Sequence, residues 1–270
     1  MENKPEGMEV EIFVHGAICF SYSGRCFLSD FMTGRSANLG DCAQSCRWSY
    51  NLYAEEKNNP GNIMPIEMDE NSTSIFSSKD LCLIREVPEI IETGVDSMKI
   101  AGRLKTEYYL ASIINIYRNA IDDYYESKEK FKSNLDKYIK EIEKVKTRGL
   151  TTFYFNDRKN KDIQEYEGKQ YNTNYEFGGK ILEYDIESSK MNESEKGKSL
   201  IEIRNKLSSG DTLEIIIPNQ IEPKEFVIEK LWDAETDEEI TTVNPGKQGQ
   251  QVKMKLPIKC KSGWILRRKK

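Results

Sequence analysis

The sequence predicts a mixed α/β region followed by a small all-β domain, and two observations carry this. Between Ser78 and Tyr124 the order is helix, glycine, strand, turn, helix, the unit from which parallel sheets and barrels are assembled. After Gly178 the apolar residues alternate in six short runs within about 90 residues, the pattern of a closed or nearly closed β-barrel.

The elements follow in order. Residues 9 to 14 (Glu-Val-Glu-Ile-Phe-Val) alternate as a strand and run into His15-Gly16. From Cys19 to Arg47 a Cys- and Gly-rich stretch has neither helical nor strand period, and Trp48 to Tyr53 again predicts a strand. Pro60-Gly61 inside a charged segment marks Glu55 to Asn71 as a loop or hairpin. Leu81, Ile84, Val87 and Ile91 share one face of a predicted helix over 78–92, with Ser78 as N-cap and Gly94 as stop. Val95 to Ile100 is a strand and Ala101-Gly102-Arg103 a turn. A long helix then places Tyr109, Ile113, Ile116, Tyr117, Ala120, Ile121 and Tyr124 at helical spacing, and a second spans Leu135 to Lys146. Thr151 to Tyr175 is polar and aperiodic, a linker or an extended segment over the α/β region. The six predicted strands are Lys180–Tyr184, Leu200–Arg204, Thr212–Ile217, Phe226–Trp232, Gln251–Leu256 and Trp264–Arg267, with a mobile hairpin loop near Asn192–Lys198. The expected domains are 1–126, a helical connector 127–177, and an autonomous β-domain 178–270 with Val227, Leu231, Trp232, Ile215, Ile217 and Trp264 buried.

Of the 270 residues, 37% are hydrophobic and 31% charged, the profile of a soluble protein with modest cores. No apolar run approaches the ~20 residues of a membrane span, and the first residues lack the pattern of a signal peptide, so no membrane association and a cytoplasmic location are expected. A net charge of −5 supplies no global field toward nucleic acid, which leaves that role to a local basic patch.

Six cysteines without an export signal point to thiol chemistry or metal rather than disulfides. Cys19, Cys26, Cys42 and Cys46 fall within 28 residues of a stretch short of regular structure. Such loops suit thiolate ligation of an iron–sulfur cluster or a zinc ion, where the metal and not a hydrophobic core fixes the chain. The six-residue gap between Cys19 and Cys26 exceeds the two to four of zinc fingers and favours a cluster. Cys82 is the alternate fourth ligand, and Cys260 a bystander.

His15 is the one histidine, and a Ser/His or Cys/His protease would have to use it. No G-x-S-x-G elbow or H-E-x-x-H pair accompanies it. Lys99, Arg103 and Lys105 cluster at the end of a predicted strand, where α/β barrels bind ligands. Arg25, Arg35 and Arg47 punctuate the cysteine loops. Together these predict a site for phosphate or a small carboxylate.

Four blocks carry a family resemblance. They are Glu11-x-Phe13-x2-Gly16-Ala17-Ile18-Cys19-x4-Gly24-x-Cys26-x-Leu28-Ser29; Gly40-Asp41-Cys42-Ala43-Gln44-x-Cys46-Arg47-Trp48; Ser78-Lys79-Asp80-Leu81-Cys82; and Gly94-Val95-Asp96-Ser97-x-Lys99-Ile100-x-Gly102-Arg103. They resemble the signature of the peptidase U-32, or collagenase-like, family over about Glu9 to Asp123. The resemblance implies the C-terminal part of a TIM-type barrel followed by a small C-terminal β-barrel. It also implies oxygen-independent hydroxylation, of a tRNA wobble uridine with prephenate as co-substrate, around a four-iron–four-sulfur cluster. Cys19, Cys26 and Cys42 would be ligands, with Cys46 or Cys82 as the fourth. Peptidase activity, from the family label, and an inactive RNA- or partner-binding fragment are the alternatives.

Two departures stand out. Eight residues precede Glu9, and about 120 lie before the connector, where a complete (β/α)8 barrel takes ~250. The expectation is therefore self-association through an incomplete barrel. The family's acidic residue between Ile100 and Gly102 is Ala101 here.

Overall fold

The structure, a computed structural model, describes every residue except Glu2, Phe20, Ser23, Ser49, Leu52, Glu56, Asn59, Asn62, 66–77, Leu104, 157–162, 164–172, 185–196 and 247–248. The chain divides into two compact units. One comprises Met1–Leu83, Val95–Ala101 and Thr147–Asn172, the other Ile84–Gly94, Gly102–Lys146 and Thr173–Lys270. The helices within 84–94 and 102–146 thus group with the C-terminal β region, whereas the sequence pattern assigns the first long one to the cysteine loops.

The first unit holds β1 (Glu11–Ala17), the short α1 (Leu28–Thr33), 3₁₀ turns at Ala37–Leu39 and Ser45–Arg47, β2 (Tyr53–Glu55), β3 (Ile63–Pro65), β4 (Asp80–Cys82), β5 (Ser97–Ile100) and β6 (Leu150–Thr151). One sheet runs β5-β1-β4-β6, with β1/β5 and β4/β6 parallel and β1/β4 antiparallel. These four strands form a mixed sheet, in keeping with the α/β class expected of this region. The β1/β5 ladder has a bulge between Phe13 and His15, at Val14, and Val14 and His15 are both buried. Gly16 sits at φ +116°, where a Cβ would come within 2.8 Å of Ala101 Cβ and 2.9 Å of its carbonyl oxygen. Glycine is needed there on both counts.

Two local expectations are corrected in this unit. Residues 80–82, expected in a helix, are strand β4, which Asp80 joins through its N–H to Gly149 O at 2.9 Å. Trp48–Tyr53, expected as a strand, is a bend at Trp48, a single β-bridge at Tyr50 and the start of β2 at Tyr53, with Ser49 and Leu52 outside the described residues. The chain makes a 3₁₀ turn at Ser45–Arg47, and the β2 ladder with β3 sets Tyr53 opposite Pro65. That hairpin fits the Pro60-Gly61 turn, while 66–71 of the expected loop lie outside the described residues.

The second unit contains α2 (Val87–Glu92), α3 (Glu107–Glu126), α4 (Lys128–Glu143), β7 (Tyr175–Glu183), β8 (Lys198–Ile203), β9 (Leu207–Ser208), β10 (Thr212–Ile216), β11 (Lys224–Val227), β12 (Leu231–Asp233), β13 (Glu239–Ile240), β14 (Thr242–Val243), β15 (Gln251–Lys255) and β16 (Ile265–Lys269). Pro88 in the first turn of α2 explains why that helix starts at Val87: a proline there lacks only an N–H that has no intrahelical partner. Thr106 caps α3 by accepting from Tyr109 N at 3.2 Å, and Ser127 caps α4 by accepting from Lys130 N at 3.0 Å. The helices bury the expected stripe of Tyr109, Ile113, Ile116, Tyr117 and Ala120, together with Phe131, Tyr138 and Ile142.

The β region is an eight-stranded sheet in the order β11-β10-β16-β7-β8-β15-β12-β13. The separate β9–β14 ladder joins segments adjoining β10 and β13, near opposite ends of that order, so the sheet curls back on itself. Ile181, Ile201, Leu213, Ile215, Leu231, Val252 and Leu266 fill the interior. Ile217, Trp232 and Trp264 are only partly buried, and Val227, expected inside, is 54% exposed. The reason is that Phe226–Trp232 is not one strand: β11 ends at Val227 and β12 starts at Leu231, so the alternation is broken between them. The linker, apart from residues 151–156, 163 and 173–175, and the loop near Asn192 lie largely outside the described residues. Among the described residues no helix is long and apolar enough to cross a membrane.

Candidate metal centre

The four cysteines sit on loops tied together by polar side chains. Cys19 follows β1, Cys26 precedes α1, Cys42 precedes the second 3₁₀ turn, and Cys46 is within it. Asn38 Oδ1 accepts from Cys26 N at 3.1 Å, and the buried Ser29 Oγ accepts from Ala43 N at 2.9 Å. Arg35 clasps Asp41 through Nε at 3.0 Å and Nη2 at 2.6 Å, which places it in the loop's own scaffold. Gln44, at φ +55°, folds the chain so that its N–H donates to Cys42 Sγ at 3.3 Å. Cys42 and Cys46 therefore do not share a helix face; a left-handed residue and a 3₁₀ turn bring them round instead.

The thiols meet electrostatically. Burial pushes the Cys46 thiol up, Arg47 opposes this, and Cys42, Cys19 and Cys26 each add to the rise. The other three thiols thus each lie within electrostatic range of Cys46. The six cysteines are free thiols. Among the described residues no three of His, Cys, Asp and Glu close around a single metal ion. The donor set itself, four soft thiols on one loop system with a backbone N–H aimed at a sulfur, suits an iron–sulfur cluster, where hydrogen bonds to sulfur are a regular tuning device.

Beneath the loops is a charged group that the sequence pattern does not reveal. Arg47 Nη1 lies 3.9 Å from Asp80 Oδ1, with side chains 5% and 1% exposed. Arg47 Nη2 donates to the Ile18 carbonyl, just before Cys19, and to Ser78 Oγ at 3.3 Å, while Ser78 Oγ donates to Ile18 O at 2.9 Å. One side chain adjoining Cys46 thereby holds the segment leading to Cys19. Arg148 joins them: burial and the Arg47 charge lower its pKa, while Asp80 and Cys46 oppose. The charges of Arg47 and Arg148 are thus both felt at Cys46. Ser78 and Asp80 were within a recognised block but assigned to a helix; Arg148, in a Lys- and Glu-rich stretch, carried no signal.

The expected anion-binding residues are placed differently. Lys99 Nζ is bound to Glu11 Oε1 at 2.6 Å and lies over the Phe13 ring, 5.2 Å from its centroid. Arg47 is turned inward as a strut. Arg25 and Arg103 are exposed, and Lys105 lies over the Tyr109 ring. His15 is buried and stands opposite Cys82 in the antiparallel β1–β4 ladder, which puts both on one face of the sheet. Cys260 is buried in the β region.

Comparisons with known proteins bear on this arrangement. The family model described as Peptidase family U32 matches residues 1–165, and that of the Peptidase family U32 C-terminal domain matches 173–267. The chain is 35% identical over 263 residues to tRNA hydroxylation protein P1 of Bacillus subtilis, covering 97% of this chain and 58% of that protein. It is 32% identical over 256 residues to tRNA hydroxylation protein P of Escherichia coli, covering 81% of this chain and 54% of that protein. It therefore spans little more than half the length of these relatives. A crystal structure of the C-terminal domain of a candidate U32 peptidase from Geobacillus thermoleovorans is 30% identical, covers 34% of this chain and 98% of that one, and superposes with a TM-score of 0.27. With cysteine loops and β region both matched, the chain belongs to peptidase family U32.

Proposed function

We propose that this chain is the cluster-bearing part of an RNA-hydroxylating protein, whose substrate is the wobble uridine of tRNA and whose co-substrate is prephenate. The observation that carries the reading is that Cys42, Cys19 and Cys26, on neighbouring loops, each act on the Cys46 thiol. The names of the relatives support the choice of tRNA. When bound, a four-iron–four-sulfur cluster supplies one-electron chemistry. The chain's own residues do the rest: four thiolates hold the group, and Gln44 N–H and the Arg47 and Arg148 charges compensate the negative charge gathered on sulfur. The exposed Arg25 and Arg103 are available to carboxylate or phosphate. The first unit's sheet is assigned to the C-terminal part of a TIM-type barrel, and tRNA as partner implies the cytoplasm.

The test is nucleoside mass spectrometry of tRNA from cells lacking the gene for this chain. Hydroxylated wobble uridine should vanish, return with the wild-type gene, and stay absent with Cys42→Ser. Unchanged hydroxylation in the deletion strain would refute the reading.

A second reading, peptidase activity, draws on the His15–Cys82 register, which places an imidazole and a thiol on one sheet face. Loss of peptide cleavage in Cys82→Ser, with iron content unchanged, would favour it.

A further inference from the structure

The last 20 residues, Gln251–Lys270, contain eight Lys or Arg and no Asp or Glu, in a chain of net charge −5. Four of these cations are engaged: Lys253 with Asp237, Arg267 with Glu141 and Glu214, Arg268 with Asp211 and Glu176, and Lys270 with Glu176. Lys255, Lys259 and Lys261 are exposed and form no ion pair among the described residues. They lie at the end of β15 and in the connection to β16, within seven positions of one another. That connection is held rigidly. Cys260 is buried with its Sγ donating to Ile258 O at 3.3 Å, and the alternation around it leaves Lys259 and Lys261 outside. Gly263 N donates to Ile181 O at 2.8 Å, and Ile181 N donates to Trp264 O at 2.9 Å, strapping the end of the loop to β7.

The same loop forms one wall of a cleft of about 250 Å³, lined by Ile114, Arg118, Ile216, Pro218, Trp264 and Ile265 among others. The opposite wall is fixed by Asn115, which donates to Gln220 O at 2.7 Å and accepts from Asn219 N at 2.8 Å. Arg118 is steadied by Asp122, Nε to Oδ2 3.0 Å. The cleft is mostly apolar, with an aromatic ring and a guanidinium in its lining and free lysines on the adjoining loop. A positively charged track with aromatic and guanidinium planes is the chemistry that holds single-stranded nucleic acid, with phosphates on the cations and bases stacked on the rings.

We propose that this end of the β region binds single-stranded RNA, with Lys255, Lys259 and Lys261 on the phosphate backbone and a base entering the cleft beside Trp264 and Arg118. The proposal deepens the RNA reading above and rests on it. It assigns the RNA contact to residues other than those of the cysteine loops, so the two can fail separately.

The test is fluorescence anisotropy of a labelled, unstructured RNA oligonucleotide with the full chain across a range of salt concentrations. The triple variant Lys255→Gln, Lys259→Gln, Lys261→Gln should bind about tenfold or more weakly at physiological salt. Its log–log salt slope should be shallower by about 2, from three phosphate contacts at roughly 0.7 each. Trp264→Phe should retain binding, whereas Trp264→Leu, which keeps apolar packing but loses the ring, should weaken it about fivefold or more. Thermal unfolding of each variant checks that its fold is intact. If the triple variant binds RNA as the wild type does, this site is wrong while the tRNA reading stands. If the wild type binds no RNA, both are wrong. If it binds vesicles of anionic lipid but not RNA, the lysines serve a membrane surface and the proposal is overturned.

Discussion

Arg47 Nη1 lies 3.9 Å from Asp80 Oδ1 with both side chains almost wholly buried. The pair links the residue after Cys46 to the strand that carries Cys82, and Arg47 also holds the carbonyl before Cys19. Removing one member of a buried pair leaves the other's charge uncompensated, which costs about 3 kcal/mol or more. Arg47→Ala and Asp80→Asn should each destabilise the first unit by that order in urea unfolding. Their double mutant should cost less than the sum, because the second substitution removes the stranded charge. Additive losses would show that the two side chains act independently.

Asp123 offers a pH test in the second unit. Burial raises its pKa, but hydrogen bonds from Tyr138, Asn134 and Lys130 outweigh burial and hold the carboxyl below its ordinary value. The folded-state pKa is thus depressed, so the stabilisation is fully present above the unfolded value near 4 and is lost as pH falls through the lower folded value. Asp123→Asn should cost about 2 kcal/mol at pH 7, the scale of hydrogen bonds to a charged acceptor. The gap from wild type should stay constant down to about pH 4 and close below it. A gap that widens in acid would reverse the sign of the argument.

The parts of this protein that follow from local pattern were legible in its sequence. The helix burying Tyr109, Ile113, Ile116, Tyr117 and Ala120 is set by its own period, and Cys19, Cys26, Cys42 and Cys46 stood out because several thiols crowd one polar stretch. What was missed depends on partners distant in sequence. Asp80–Cys82 has helically spaced neighbours, yet it pairs with β1 and β6, and the ladder decides its conformation. Pro88 was the overlooked signal for the true helix start. Arg47 looks like a surface arginine until Ile18, Ser78 and Asp80 gather around it, and no spacing rule announces that. The expected burial of Val227 failed because the break between β11 and β12 is a loop event, invisible in the alternation on either side.

Arg267 is buried between Glu214 of β10 and Glu141 of α4, and Lys144 adds bonds to both carboxylates. Tyr108, whose phenol burial pushes up to about 12, borders the same group. Arg267→Ala should destabilise the second unit by about 3 to 5 kcal/mol, whereas Arg267→Met combined with Glu214→Leu and Glu141→Leu should recover most of the loss. For the same reason residues 173–270 expressed alone should unfold cooperatively, but at a lower temperature than the full chain's second unit, because Glu141 and Lys144 are missing. A non-cooperative transition would show that the β region depends on the helices for its fold.

The central claim is that Cys19, Cys26, Cys42 and Cys46 form one cluster site, and iron and acid-labile sulfide in anaerobically purified protein test it most directly. The account predicts about four irons and four sulfides per chain after reconstitution, as a four-iron–four-sulfur cluster requires. Cys19→Ser, Cys26→Ser, Cys42→Ser and Cys46→Ser should each lose most of both, and Cys82→Ser and Cys260→Ser should retain them. Full loading in Cys46→Ser with loss in Cys82→Ser would contradict the fourth ligand, and wild-type protein that takes up zinc but no iron or sulfide would contradict the cluster itself.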